Sequence, residues 1–207
     1  MKTFGLLLSL FLTHTCFGQF NLSKLDKNSI PTGIRYKGNV EQAVRWTDKT
    51  GDNIVILTKE IPRSINAPDD DFSDGALHAY HYLISGDSIR HTWSVFDYVK
   101  TCDVDMFLYF IDKTFTITDL NKDGKAEVWI MYKVSCQGDV GPVPMKIIMY
   151  QDNKKFAVRG TTRVKVSATE YVGGEFTYDE AFKNGPAEFR QYAENLWKQH
   201  KTETWVH

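Results

Sequence analysis

The chain has little of what marks a membrane protein, a nucleic-acid binder or a familiar catalyst. After the first eighteen residues no stretch approaches the roughly 18 to 20 uninterrupted apolar residues that a spanning helix needs, so no membrane span is expected. Basic and acidic residues nearly cancel, 25 against 26, and no basic block of five or more occurs, which argues against nucleic acid as a partner. The G-x-S-x-G elbow, the H-E-x-x-H helix and the Walker loop are all missing. Cysteine is scarce: only Cys16, Cys102 and Cys136.

What is present begins with an export signal. Lys2 supplies a positive start, Phe4 to Leu12 form an apolar run, and Cys16-Phe17-Gly18 offers small residues where a signal peptidase cuts. Residues 1–18 read as the signal peptide and 19–207 as one β-rich domain, released to the periplasm or the cell surface. A lipid anchor at Cys16 is disfavoured, because His14 stands where lipidation signals want a small residue. Cys16 leaves with the signal, so Cys102 and Cys136 are expected to pair as a disulfide in an oxidising compartment, against the alternative of two buried free thiols. Closing that loop stabilises the fold by roughly 3 to 4 kcal/mol.

From Val40 to Val166, short runs of β-branched and aromatic residues alternate with Gly, Asp and Asn. Four hairpins follow: 40–47 with 54–58, 77–84 with 89–96, 115–118 with 128–134, and 145–150 with 156–159. Gly86 at the first central position of Ser85-Gly86-Asp87-Ser88 suits a tight type II′ turn. Near the C-terminus Phe189, Tyr192, Ala193, Leu196 and Trp197 recur at helical spacing behind Pro186, which predicts an amphipathic helix over about 186–199. The fold expected is mainly β: an open or sandwich-like antiparallel sheet of hairpins with a C-terminal amphipathic helix.

One run carries metal chemistry. Asp119, Asn121, Asp123 and Glu127 place side-chain oxygens at positions 1, 3, 5 and 9 of a loop, Lys125 adds its carbonyl, and Gly124 permits the sharp turn. Calcium takes six to eight oxygens, and this spacing wraps them round one point. Position 12 is Ile130 and the exit reads as strand, so the loop is not an EF-hand; it resembles the strand-flanked aspartate loops of integrin-type repeats. The competing reading is a metal-free turn in which Asp and Asn hold backbone amides. Calcium, if held, is structural rather than catalytic.

Weaker constellations surround it. His78 and His81 differ by an odd number and fall on opposite faces of a strand, while His78 and His91 share a face about 13 Å apart, so the three histidines do not chelate one ion. The hairpin register about Gly86-Asp87 sets Tyr80, Tyr82 and Trp93 on one face, either as core or as a stacking platform for sugar rings. Gln137 to Pro144, with Asp139 between glycines, is a stiff exposed loop suited to a partner or a plain connection. Asp69, Asp70, Asp71 and Asp74 form an acidic stretch, a candidate acid–base pair of glycosidase type or a solvated loop.

Trp46-Thr47-Asp48, His78-Ala79-Tyr80, Glu127-Val128-Trp129, Cys136 to Val140 and Met145 to Tyr150 together resemble a family of small exported Bacteroidetes proteins labelled surface polysaccharide biosynthesis protein. The resemblance spans about Trp46 to Val164 and implies an envelope role without assigning catalytic residues. The leading expectation is a non-catalytic exported protein that binds surface polysaccharide or assists its assembly, stiffened by calcium and a disulfide. A polysaccharide hydrolase using the acidic stretch, and a factor that binds envelope proteins, are the alternatives.

Overall fold

The computed structural model describes residues 20–64 and 73–203, and shows a mainly β protein of antiparallel open sheets with a short C-terminal helix. The expected signal peptide, and Asp69, Asp70 and Asp71, lie outside the described residues. The first sheet runs in chain order: β1 (Ser23–Lys24), β2 (Asn39–Asp48), β3 (Gly51–Ser64), β4 (Ser73–Ser85) and β5 (Ser88–Cys102). The second is built from β6 (Met106–Phe110), β7 (Thr116–Thr118), β8 (Glu127–Cys136), β9 (Pro144–Gln151) and β10 (Lys154–Thr161). A small ribbon, β11 (Arg163–Lys165) with β12 (Tyr171–Gly173), leads to β13 (Phe176–Tyr178), which returns to the second sheet beside β10. That sheet is ordered β13-β10-β9-β8-β6, with β7 also on β8. Two helices close the fold, α1 (Glu180–Lys183) and α2 (Ala187–His200), the latter close to the predicted span.

All four expected hairpin pairings form, each about a turn rich in Gly, Asp or Asn. Gly86 takes φ 56°, a region that glycine enters at no steric cost. The two sheets face each other through Trp46, Leu57, Leu77, Trp93 and Val95 on one side and Leu108, Val128, Ile130 and Ile148 on the other. The far face of the second sheet lies under the helices, where Trp129, Ile147, Met149 and Phe156 meet Phe182, Phe189, Leu196 and Trp197. A strand buried on both faces has no polar alternation to show, which is why Val128 to Tyr132 reads as one apolar run. The far face of the first sheet is covered in part by the preceding segment, through Ile30 and Ile34 against Ile54, Ile56 and Tyr82.

The β4–β5 hairpin departs from the expected register at one point. Tyr82 faces His91 as expected, but His81 then faces Trp93, so Thr92 is an extra residue, a β-bulge. One inserted residue exchanges the faces of everything beyond it. His78 therefore pairs with Phe96 rather than Val95, and Trp93 points between the sheets. The Cys102–Cys136 disulfide forms, with Cα atoms 5.6 Å apart, and ties the end of the first sheet to the second.

Candidate functional site

Between β7 and β8 the loop from Asp119 to Ala126 is folded by its own side chains. Asp119 Oδ2 accepts from the Gly124 amide at 3.1 Å, Asn121 Oδ1 from Asp123 at 3.3 Å, and Asp123 Oδ1 from Lys125 at 2.8 Å. Gly124 stands at φ 80°, and a Cβ there would strike the Lys49 side chain, which reaches over to donate to the Asp123 carbonyl. Lys125 sends its ammonium outward to Asp152 at 2.6 Å.

Side-chain oxygens of the loop and of Glu127 converge. Glu127 is fully buried; its Oε2 accepts from Thr118 Oγ1 at 2.7 Å and the Leu120 amide at 2.9 Å. Its Oε1, Asn121 Oδ1 and Asp123 Oδ2 all surround one atom, Nε2 of Gln151 at the end of β9, at 3.4, 3.4 and 3.1 Å. Asp119 Oδ1 is buried and has no hydrogen-bond partner among the described residues. Burial, with the nearby Asp119 charge adding to it, pushes the Glu127 carboxyl up to about 7, against the two donors on Oε2. Gln151 was not visible as a site residue in the sequence: it lies 24 residues from Glu127 and only the β8–β9 pairing, Glu127 opposite Gln151, brings it in. Among the described residues no group of three or more His, Cys, Asp or Glu side chains is arranged to hold a metal ion by itself. Calcium, however, accepts amide and carbonyl oxygens equally, and a half-turn of the Gln151 amide presents its oxygen at the same place.

Next to this loop lies a second buried polar cluster. Asp48 Oδ2 accepts from the Trp46 indole and the Ala126 amide, and Oδ1 from the Thr50 amide, the Thr50 hydroxyl and Asn53. Burial would raise this carboxyl, but those donors outweigh it and hold it below the usual carboxylate range. Asn53 spends its amide hydrogens on Asp48 and the Gly51 carbonyl, so its oxygen accepts from Nε2–H of His81 at 3.1 Å. His81 Nδ1 lies against the Thr92 hydroxyl, which also reaches the His81 carbonyl at 3.3 Å. Burial lowers the His81 pKa to about 4. A cavity of about 20 Å³, bounded by Asp48, Asn53, His81, Trp93 and Tyr150, is of single-water size.

The proposed stacking trio is divided. Trp93 lies between the sheets, stacked 4.2 Å from Tyr150 and 5.0 Å from His81. Tyr82 is buried on the opposite face, donating to the Arg35 carbonyl, and Tyr80 accepts from the Lys37 amide at 3.3 Å. The Thr92 bulge is the reason, because it moves Trp93 off the face that Tyr80 and Tyr82 share. The same bulge puts two other aromatics there: Phe96 is 59% exposed and Tyr98 49%, with ring centroids 5.3 Å apart. His78 stacks on Phe96 at 5.0 Å, and Lys100 lies 5.2 Å over Tyr98.

The loop after Cys136 is tied to itself, with Gln137 donating to Asp139 and to the Gly141 carbonyl, and it leaves Val140 at 72% exposure. Asp74, the described member of the acidic stretch, accepts from the Thr101 amide at 2.7 Å. No protein-family model matches the chain, and no curated protein or solved structure was found to match it.

Proposed function

We propose that the chain is a non-catalytic exported envelope protein that binds surface polysaccharide on the outer face of its first sheet, with a calcium ion stiffening the end of the sandwich. The observation that carries this reading is the Phe96–Tyr98 pair: two adjacent rings, each about half exposed, and among the described residues the exposed large hydrophobic side chains of that sheet. Rings held in this way present an apolar face to the C–H face of a sugar, while buried His78 backs Phe96 and exposed Lys100 at the margin supplies a polar contact. The resemblance read from the sequence supports the same assignment to surface polysaccharide.

Calcium enters as a fixture of the scaffold. Its ligands are Asp119, Asn121, Asp123, the Lys125 carbonyl and Glu127, joined by Gln151. The unpartnered Asp119 oxygen and the three oxygens gathered on Gln151 Nε2 support the cation over the empty turn. The test of the binding reading is calorimetric titration of the protein with neutral bacterial surface glycans, repeated on Phe96→Ala and Tyr98→Ala. At least one glycan binds, and each variant weakens it tenfold or more with the thermal midpoint unchanged. Binding that survives both variants, or no binding by any glycan, removes this reading.

A further inference from the structure

The face that the second sheet turns toward the first is not covered along its whole width. Trp93 and Asp97 of β5, the last strand of the first sheet, reach Tyr150 and Lys146 on β9. The next strands, β10 and β13, carry exposed residues on that face: Lys155, Arg159 and Thr177. One row crosses four strands as Tyr132, Lys146, Arg159 and Thr177, each directly opposite the next. Lys146 and Arg159 are thus like charges at a cross-strand position, where the Cβ atoms of facing residues lie about 5 Å apart and repulsion destabilises the sheet. Lys155 stands four residues before Arg159 on the same face, about 13 Å along the strand.

The anions nearby are already committed. Asp97 accepts from the Lys146 ammonium and from the Tyr132 hydroxyl. Asp179 Oδ2 accepts from the Ala157 amide and Oδ1 from the Phe182 amide, where it caps α1. Among the described residues neither Lys155 nor Arg159 has an ion-pair partner. Partial burial, then the charges of Arg159 and Lys146, lower the Lys155 pKa against the pull of Asp179 and Asp97, which agrees with three cations sharing one ledge on which only Lys146 has a carboxylate of its own.

We propose that this ledge, formed by Lys146, Lys155 and Arg159 with Thr177 at its margin, binds an anionic polysaccharide through carboxylate or sulfate groups spaced along the extended chain. Arg159 presents a planar fork that grips such an oxyanion in two places, and Lys155 meets a second charge farther along. The ledge belongs to the second sheet and the Phe96–Tyr98 pair to the outside of the first, so the site is separate from the aromatic face, while the choice of a polysaccharide as the polyanion rests on the proposed envelope role.

The experiment titrates the purified protein with polygalacturonate and with neutral dextran at low and at 0.5 M salt. It compares wild type with Lys155→Gln/Arg159→Gln and with Lys24→Gln/Lys27→Gln, which removes the same charge at the far edge of the first sheet. Expected are polygalacturonate binding that high salt weakens, a loss of tenfold or more in the ledge variant, little change in the Lys24/Lys27 variant, and no effect of the ledge substitutions on dextran. No binding of polygalacturonate, or an equal loss in both double variants, overturns the proposal, the second outcome meaning attraction by net charge alone. If Phe96→Ala abolishes polyanion binding while the ledge variant keeps it, the ledge falls and the aromatic face stands.

Discussion

Asp48 and Asp119 stand on either side of one loop, and the protein treats them in opposite ways. Both are carboxylates drawn out of water beside the start of β8. Asp48 receives five hydrogen bonds, from Trp46, Thr50, Asn53 and Ala126, and every donor belongs to the chain itself. Asp119 holds the Gly124 amide with one oxygen and leaves the other buried and unanswered, while three neighbouring oxygens crowd one amide nitrogen. A buried polar group without a partner is costly, and natural folds rarely keep one. The first cluster is satisfied by the chain's own donors, and the second would be satisfied by the proposed cation at the place where its oxygens gather on Gln151.

The contrast is broken most severely at Asp48. Asp48→Ala leaves five donors on four residues without that acceptor and should cost about 2 to 3 kcal/mol, within the range for losing hydrogen bonds to a charged group. Denaturant unfolding in chelator and in calcium should show the same loss. Asp119→Asn should behave differently: in chelator its stability should equal or slightly exceed that of wild type, because a buried charge without a partner has been removed.

His81 sharpens the same comparison through pH. Its folded-state pKa of about 4 lies below the unfolded value of 6.5. The unfolded chain therefore binds the proton first, so stability is full above pH 6.5, falls as pH drops from 6.5 toward 4, and levels off below that. The span amounts to roughly 3 kcal/mol. Glu127 works in the opposite direction, since its carboxyl is raised to about 7 and the folded metal-free state gains the proton first. The difference between wild type and His81→Gln, measured from pH 7 to pH 4, cancels the carboxylates common to both and should show the His81 slope alone. A flat difference would mean that the ring is not held neutral between Asn53 and Thr92.

Calcium should give a smaller gain. With an affinity of roughly 10⁻⁴ to 10⁻³ M, 10 mM calcium stabilises the fold by about 1.4 to 2.7 kcal/mol. The gain should vanish in Asp119→Asn and Asp123→Asn and fall in Gln151→Ala, while magnesium, which is reluctant to give up its water shell, should reproduce little of it. If calcium leaves the unfolding curve unmoved, the loop is a turn whose oxygens are held by its own amides, Asn121 and Gln151.

How much of this could be read in advance follows the range of the interactions. The hairpins were legible because turn residues such as Gly86 and Asp152-Asn153 act locally, and the α2 face because its period is short. The aspartate loop was legible for the same reason, but Gln151 was not, since only strand pairing carries it to Glu127. The Thr92 bulge has no local signature: Thr is an ordinary strand residue, and the bulge shows only in which residues face one another. That single residue removed Trp93 from the expected platform and put Phe96 and Tyr98 in its place. The cationic row was hidden likewise, because Lys146 and Arg159 are 13 positions apart and become neighbours through the β9–β10 register.

The smallest effect tests whether Arg159 in that row stands without a partner. If Arg159 served the fold, replacing it would lower stability; if it stands opposite Lys146 at a cost, Arg159→Gln should raise stability. The expected gain is about 0.5 kcal/mol at low ionic strength, within the range for facing like charges, and should fade in 0.5 M salt, where the screening length is only a few ångströms. The same substitution is expected to weaken polygalacturonate binding. A fold made firmer by the change that costs it a ligand is the relation seen where a site is kept at the expense of stability. A loss of stability in Arg159→Gln at either salt concentration would assign the residue to the sheet instead.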